Sequence, residues 1–357
     1  MPATAPPAPP APLPIPELPP KLLARVFSLL PINDQHMTVA LVSKHWHEWV
    51  LQQRGGTASF SPQLSQALPA HAVQHAWNRW ELLTDDGQRA NIVAALAGAG
   101  DLELLQWLRS QDPPCHIWKD ACTLAAKGGH LGVLQWLRAQ DPPCPWDEWA
   151  CTFAAEVGHL GVLQWLRSQH PPCPWDEDAC ARAAEHGHLG VLQWLRSQNP
   201  PCRWGKGTCA AAAEGGHLGV LQWLRSQEPP CPWDERTCSW AAKGGHLGVL
   251  QWLHTQDPPC PWSVETCTHA ARHGHLSVLQ WLRAQDPPCR WGMGTCAAAA
   301  EGGHLGVLQW LRSQEPPCPW DGQVPCNARE GGHSELLQWA LDNGVLKNTS
   351  RLWRFEP

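Results

Sequence analysis

The sequence contains no tyrosine, and only four phenylalanines and three methionines among its 357 residues. No apolar run approaches the roughly 18–20 residues of a membrane-spanning helix, so no membrane partner is expected. The first residues, MPATAPPAPPAPLP, have neither the positive start nor the apolar stretch of a secretory signal. The formal net charge of -6 offers no basic excess for nucleic acid. These absences favour a cytoplasmic and/or nuclear protein with no nucleic-acid partner.

Tryptophan, in contrast, is abundant, with 24 copies. A Gln-Trp pair recurs every 29 residues inside the stretch GHLGVLQWLRSQ or a close variant of it. A fixed period of about 20–50 residues is typical of stacked repeat proteins, so the sequence predicts a solenoid of about nine units. The tryptophans of the repeated pair are Trp107, Trp136, Trp165, Trp194, Trp223, Trp252, Trp281, Trp310 and Trp339.

Each unit has the start and stop signals of two helices joined by a turn. Asp147 is a suitable N-cap for a first helix over Glu148–Val157, and Gly158 suits a left-handed C-cap. A second helix is predicted from about Leu160 to Gln169, where the following Pro-Pro pair ends it. The fold class predicted is therefore all-α. The equivalent N-caps in later units are Asp176, Gly205, Asp234, Ser263, Gly292 and Asp321.

The segment before the repeats resembles an F-box. The resemblance lies in the Leu18-Pro19 start, the pairs Leu22-Leu23 and Val26-Phe27, and Leu41-Val42-Ser43-Lys44 followed by Trp46. An F-box is a small helical module that docks on the Skp-type adaptor of a cullin–RING ubiquitin ligase. The alternative is a helical hairpin that caps the repeats. The adaptor-binding residues that the resemblance implies are Leu18, Pro19, Leu22, Leu23, Val26, Phe27, Val42 and Trp46.

The repeated unit resembles an ankyrin repeat. An Ala-Ala-x-x-Gly-His-Leu core followed by Val-Leu-x-x-Leu is similar to the ankyrin helix–turn–helix. The unit departs from the family in its 29-residue length, in Thr-Cys where Thr-Pro is usual, and in a finger shortened to PPCPW. The resemblance implies ankyrin-like stacking and a surface that binds proteins.

These segments together predict five regions along the chain. They are a Pro/Ala-rich lead at 1–17, an F-box at 18–52, a linker with one helix at 53–86, the ankyrin-like array at 87–345 and a tail at 346–357.

Cysteine and histidine recur in each unit as Cys-x6-Cys-x7-His, for example Cys144, Cys151 and His159. Structural zinc usually takes four ligands with two thiols close together, and neither condition is met within a unit. We expect the 16 cysteines to be reduced, buried small residues, with zinc sites and a disulfide ladder as alternatives. The eight turn histidines, His130 to His333, repeat identically, which indicates a turn rather than a catalytic role. No metal, no cofactor and no enzymatic activity are expected.

The tryptophan of the repeated pair has two interpretations. It could offer a stacking platform to nucleic-acid bases, but the absence of a basic stripe favours packing in the core.

The repeats differ mainly at three positions of the first helix, spaced i, i+4 and i+8, which lie along one face. Invariant positions build a stack, whereas variable positions on one face are suited to reading a ligand. Neutral drift on an exposed face is the alternative, although exposed tryptophans are typical of interface anchors. The partner-binding residues predicted are Trp149, Phe153, Asp178, Arg182, His186, Arg236, Trp240, Glu265, His269 and His273.

The function predicted is that of a substrate-recruiting subunit of a Skp–cullin–F-box ubiquitin ligase. Its partners would be the Skp-type adaptor and an unknown target protein held by the repeats. The alternative is a ubiquitin-independent scaffold for protein interactions.

Overall fold

The computed structural model describes residues 86–110 and 116–343. These residues contain 18 α-helices and no β-strand, which confirms the predicted all-α class. None of these helices is both long and apolar enough to cross a membrane. The predicted F-box, the helix predicted in the linker and the tail from residue 346 lie outside the described residues.

Two short helices form each repeat. We call the first the A-helix and the second the B-helix, and we count the repeats 1 to 9 along the chain. The helices are α1 (Asp86–Ala99), α2 (Leu102–Ser110), α3 (Lys119–Lys127), α4 (Leu131–Arg138), α5 (Glu148–Val157), α6 (Leu160–Ser168), α7 (Glu177–Glu185), α8 (Leu189–Ser197), α9 (Lys206–Glu214), α10 (Leu218–Arg225), α11 (Glu235–Lys243), α12 (Leu247–His254), α13 (Val264–Arg272), α14 (Leu276–Arg283), α15 (Met293–Glu301), α16 (Leu305–Ser313), α17 (Gln323–Glu330) and α18 (Ser334–Asp342).

The helix boundaries follow the caps. Asp147 has extended backbone and its carboxylate accepts a hydrogen bond from the Trp149 backbone N–H, at 3.2 Å, so α5 begins at the predicted residue. Gly158, with φ of 82°, ends α5 in the left-handed conformation, as predicted. In repeat 9 the prediction is wrong by one residue: Gly322 is the N-cap, although the Asp321 carboxylate still accepts from the backbone N–H of Gln323.

The described residues divide into two compact units. The first contains residues 86–110, 116–125 and 132–145, and its core includes Leu96, Leu104 and Leu105, which are buried. Its last loop is tied to α4, because the Arg138 guanidinium donates to the Cys144 carbonyl at 2.6 Å.

The second unit, residues 126–131 and 146–343, contains the repeats from α5 onwards. Its core repeats with the sequence: each A-helix before the last buries a cysteine and an Ala-Ala pair, and the matching B-helix buries a valine and two leucines. The A-helices of successive repeats pack against one another, and each packs on its own B-helix. Small alanines permit this close approach, because they leave little side chain between the helix backbones.

The Gly-His pair of each turn joins one repeat to the next. Gly216 has a φ of 75°, and a Cβ at that residue would meet the ring of His246 at 2.5 Å. That ring also donates from Nε2 to the Glu214 carbonyl, at 2.8 Å. Only glycine adopts this backbone without strain and leaves room for the ring. The predicted structural role of the turn histidines is therefore confirmed.

The tryptophan of the B-helix does not lie in the core, so that prediction is wrong. Leu163 and Leu166 of α6 are fully buried, but Trp165 between them is only half-buried. On an α-helix these three residues point in different directions, and Trp165 lies at the edge of the apolar face.

Candidate protein-interaction face

The A-helices of the second unit carry the exposed apolar side chains. The described residues include six strongly exposed large hydrophobic side chains, and five of them lie on A-helices, whereas none lies on a B-helix. The sixth, Trp118, precedes α3 in the first unit. We call the solvent-facing side of the A-helices α5, α7, α9, α11, α13 and α15 the A-face; its exposed hydrophobic residues are Trp149, Val157, Trp240, Val264 and Met293.

Repeat 3 presents an aromatic pair on this face. Trp149 is 43% exposed, and its ring centroid lies 5.7 Å from that of half-buried Phe153. The Lys127 ammonium lies over the Phe153 ring, 4.6 Å from its centroid, and 3.1 Å from the Glu156 carboxylate. The structure therefore brings the predicted pair together and adds a paired cation to it.

Repeat 6 repeats this arrangement with one ring. Trp240 is 37% exposed, and the Lys243 ammonium lies 4.5 Å from its ring centroid. The same ammonium is 2.7 Å from the Glu214 carboxylate of the preceding repeat. Arg236, one turn before Trp240, is exposed and pairs with Asp234 at 3.3 Å.

Repeat 4 has polar side chains at the corresponding positions. Asp178, Arg182 and His186 are all exposed. The Arg182 guanidinium pairs with Glu185 at 2.8 Å, and the His186 ring stacks on that of His188, with centroids 6.4 Å apart.

Repeat 7 is similar to repeat 4. Glu265 and His273 are exposed, and the His273 ring lies 6.3 Å from that of His275. His269 is half-buried, and its Nδ1 atom is buried with no hydrogen-bond partner among the described residues. Burial lowers the pKa of His269 and of His273, because it disfavours the charged imidazolium.

Repeats 5 and 8 have only glycine and alanine at the variable positions. The glycines differ in role: a Cβ at Gly207 or Gly294 would meet nothing within 4 Å. A Cβ at Gly215 would overlap the Glu185 carbonyl, and one at Gly302 would overlap the carbonyl of Arg272. The last variable position in these repeats is therefore a close contact between repeats rather than a free recognition position.

The ion pairs on the A-face use all of its lysines and arginines but leave several carboxylates unpaired. Every lysine and arginine of the A-helices from α5 to α15 is in an ion pair; the pairs are Arg182–Glu185, Lys206–Asp234, Arg236–Asp234, Lys243–Glu214 and Arg272–Glu301. Four exposed carboxylates of these same helices, and half-buried Glu148, have no ion pair among the described residues; the four are Glu177, Asp178, Glu235 and Glu265. The charge left unpaired on this face is negative.

The B-helices instead form a ladder of tryptophan and arginine that the sequence did not predict. In repeats 3 to 9 the loop tryptophan meets the B-helix tryptophan edge to face, as Trp146 meets Trp165, with centroids 5.8 to 6.1 Å apart. The Arg167 guanidinium covers the next loop ring, Trp175, at 4.0 Å and donates to the Cys173 carbonyl at 2.6 Å. These contacts give the half-buried tryptophan rings and the Arg167 guanidinium partners within the chain.

The cysteines pair between repeats rather than within one. The thiol of Cys180 in α7 lies against that of Cys202, 22 residues later in the next loop, and this contact together with burial raises the pKa of Cys180. The same contact lowers the pKa of Cys202, whose thiol donates to the Asp176 carbonyl at 3.1 Å. The predicted burial is confirmed for 14 of the 15 described cysteines, and all 15 are free thiols. No group of three or more His, Cys, Asp or Glu side chains in the described part could hold a metal ion.

Comparison with known proteins identifies the segment before the repeats. Residues 15–55 match the F-box domain, so the predicted F-box is confirmed. An F-box domain in general supports an adaptor role in Skp–cullin–F-box ubiquitin ligases, and such proteins are typically adaptor subunits rather than enzymes. The predicted adaptor-binding residues, Leu18 to Trp46, fall inside this match and outside the described residues.

The repeats are similar to solved structures of helical-repeat proteins. The pentatricopeptide repeat protein PPR10 from maize is 13% identical, with a TM-score of 0.35, over 89% of this chain and 54% of that chain. PPR10 in complex with an 18-nt psaJ RNA element is 11% identical, with a TM-score of 0.30, over 92% and 63%. The chain thus spans about half to two thirds of these structures. At these TM-scores the likeness carries no argument about the class of repeat or its ligand. No curated protein matches the sequence.

Proposed function

We propose that the chain is a substrate-recruiting subunit of a Skp–cullin–F-box ubiquitin ligase. The F-box docks a Skp-type adaptor, and the A-face of the repeats holds a target protein. The chain then makes no bond itself but positions its target beside the enzymes of the ligase. The F-box match at 15–55 supports the first part.

The observation that carries the second part is the exposure of Trp149 and Trp240 on the variable stripe of the A-helices. Trp149 leaves 43% and Trp240 37% of its surface exposed to water, so packing within the chain does not fully account for either side chain. Tryptophan is enriched among the residues that dominate binding at protein interfaces. The B-helix tryptophans have partners within the chain, which leaves the A-face as the surface suited to a partner.

The repeats are proposed to be ankyrin-like. The antiparallel helix pair joined by a Gly-His turn supports this assignment, with the finger reduced to the short loop before each A-helix. Action on a cytoplasmic and/or nuclear target is part of the same proposal.

Two reciprocal variants test the proposed function. The first, Leu22→Asp with Leu23→Asp, places charges in the apolar F-box surface and is expected to abolish co-purification of a Skp-type adaptor. The second, Trp149→Ala with Trp240→Ala, is expected to keep the adaptor and to lose the target proteins that the wild-type chain captures, as identified by mass spectrometry.

Each variant is the control of the other, because each should keep one binding activity and the helical circular dichroism of the wild type. Retention of the adaptor by the first variant would show that the F-box is not the docking site and would favour the ubiquitin-independent scaffold. Unchanged target capture by the second variant would remove the A-face from the proposal.

A further inference from the structure

We propose that the A-face contains two copies of one recognition module, three repeats apart, and that each copy binds a basic segment of a polypeptide. This inference rests on the proposed function, since it uses the same face, and it adds the chemistry and the number of the ligands. The first module consists of α5, α7 and α9, and the second of α11, α13 and α15.

The variable residues of the two modules correspond at seven of nine positions. The two exceptions lie in the first helices, where Arg236 takes the place of Trp149 and Gly244 that of Val157. The first helix has an aromatic ring beneath a lysine, the second has an acid followed by a base and a histidine, and the third has only glycine and alanine. The residues are Phe153, Asp178, Arg182, His186, Gly207, Ala211 and Gly215 in the first module, and Trp240, Glu265, His269, His273, Gly294, Ala298 and Gly302 in the second.

This correspondence persists where the helices otherwise differ. The third helices are near copies, because 202–234 and 289–321 differ only at Lys206 and Met293. The second helices, α7 and α13, differ at six of nine positions. Even so, the order of acid, base and histidine is the same in both, and the histidine stacks on a turn histidine in both. Of the features retained on the A-face, the acid and the last histidine are exposed in both modules, whereas the base is exposed in Arg182 and half-buried in His269.

Both modules carry unpaired negative charge, which would attract a cationic ligand. Glu177 and Asp178 in the first module, and Glu235 and Glu265 in the second, are exposed and lack ion pairs among the described residues. Half-buried Glu148 of the first module also lacks one. The helix macrodipole accounts for carboxylates in a first turn. It does not account for an exposed tryptophan in each module, which is the second and independent observation.

In both modules an aromatic ring already has a lysine ammonium group beside it. In both modules an ammonium, Lys127 or Lys243, already lies 4.5 to 4.6 Å from an aromatic centroid while it pairs with a glutamate of an adjoining repeat. An arginine or lysine of a ligand, placed on the exposed ring of Trp149 or Trp240 beside the unpaired carboxylates, would form the same kind of contact. Such contacts are attractive at exposed sites and become stronger when they are desolvated.

The spacing of the modules sets the spacing of the ligand. Three repeats at roughly 10 Å between packed helices separate the modules by about 30 Å. An extended chain advances about 3.3 Å per residue, so about nine residues cover that distance. A polypeptide with two basic segments about nine residues apart would therefore occupy both modules.

Titration calorimetry of the full chain with synthetic peptides tests the proposal. One probe has a single arginine triplet between glycines, a tandem probe has two triplets centred nine residues apart, and a compact probe has them four residues apart. We expect two single-triplet probes to bind each chain, and one tandem probe to bind at least about 100-fold more tightly, as linked modules permit. The compact probe should lack this gain.

Single variants identify the modules. Trp149→Ala or Trp240→Ala should reduce the stoichiometry of the single-triplet probe from two to one and remove the tandem gain. Trp118→Ala is the matched control, because Trp118 is 42% exposed but lies outside both modules. Equal binding of glutamate in place of arginine, or arginine binding that neither variant changes, would overturn the proposal.

Failure of the basic-ligand proposal can be distinguished from failure of the proposed function. If the double variant loses its target proteins while the wild type binds no arginine probe, the A-face remains the target-binding surface and the basic ligand is wrong. If target capture survives the double variant, the surface itself is wrong.

Discussion

The B-helices of the second unit have nearly the same sequence in every repeat, whereas the A-helices change from one repeat to the next. The difference follows from the partners of each side chain. On α6 the leucines are fully buried, Trp165 meets a loop tryptophan, and Arg167 covers the next loop ring while it donates to a carbonyl. Nearly every position of a B-helix therefore has a structural partner.

An A-helix divides its positions between two tasks. In α5 the inward residues Cys151, Ala154 and Ala155 are fully buried and small, while Trp149 and Val157 face solvent. The inward positions hold the repeats together, and the outward positions tolerate any residue that water or a ligand accepts. Substitutions in the core of a B-helix should therefore change the stability of the fold. Substitutions on the A-face should change the binding of a partner instead.

The largest loss of stability is expected from the B-helix core. Leu166→Ala should lower the free energy of unfolding by about 2–5 kcal/mol, because it leaves a cavity in a fully buried site. Urea denaturation followed by circular dichroism measures this, with Leu166→Met as the control that conserves volume and should cost less than about 1.5 kcal/mol. A cost for the alanine variant no greater than for the methionine variant would contradict the described core.

A smaller loss is expected at the tryptophan–arginine ladder. Trp165→Ala removes a half-buried ring and its edge-to-face contact with Trp146, 6.0 Å away. We expect about 2–3 kcal/mol, below the roughly 3–5 kcal/mol typical of fully buried aromatic residues. The same denaturation experiment checks the order, which would be wrong if Trp165→Ala proved as damaging as Leu166→Ala.

Acidification should weaken the array modestly. Burial lowers the pKa of His217, His269 and His273 in the folded state, so the unfolded chain takes up protons first as the pH falls below the ordinary histidine value of 6.5. Their contribution is therefore fully present above 6.5 and is lost between that value and the lowered folded pKa. Melting temperatures from pH 7.5 to 5 measure this loss, and His269→Gln should reduce it; a variant with an unchanged pH dependence would exclude His269 as a contributor.

The smallest effect on stability is expected on the A-face. Trp149→Ala and Trp240→Ala each remove a ring that is 43% or 37% exposed, so each should lower the free energy of unfolding by about 1 kcal/mol, less than Trp165→Ala. Thermal melts alongside Trp165→Ala provide the comparison. An early melt of the exposed variants, with a wild-type melt for Trp165→Ala, would reverse the assignment of the two helices.

Most of the local structure could be predicted because its causes are close together in the sequence. The 29-residue period, the carboxylate cap at Asp147 and the left-handed glycine at Gly158 each act within a few residues. The alternation of invariant and variable positions also indicated which side of the A-helices faces solvent. The F-box could be predicted from its own short motif, which residues 15–55 match.

The contacts between repeats could not be predicted in this way. The pairing of Cys180 with Cys202, the arginine over the next loop tryptophan, and the close approach at Gly215 all depend on the distance and rotation between neighbouring repeats. A 29-residue period indicates that repeats stack, but many stacking geometries share it. Side-chain volumes in the core select one of them.

The sequence by itself determined that this protein is a helical-repeat array behind an F-box, with helices bounded by caps and with variation concentrated on one face of the A-helices. Only the tertiary structure decided that the repeated tryptophans lie at the edge of the core, that the cysteines pair across repeats, and that the charge left on the A-face is negative. The physical reason is range: caps and periodicity act along a few residues, whereas burial and ion pairing depend on which repeats are brought into contact.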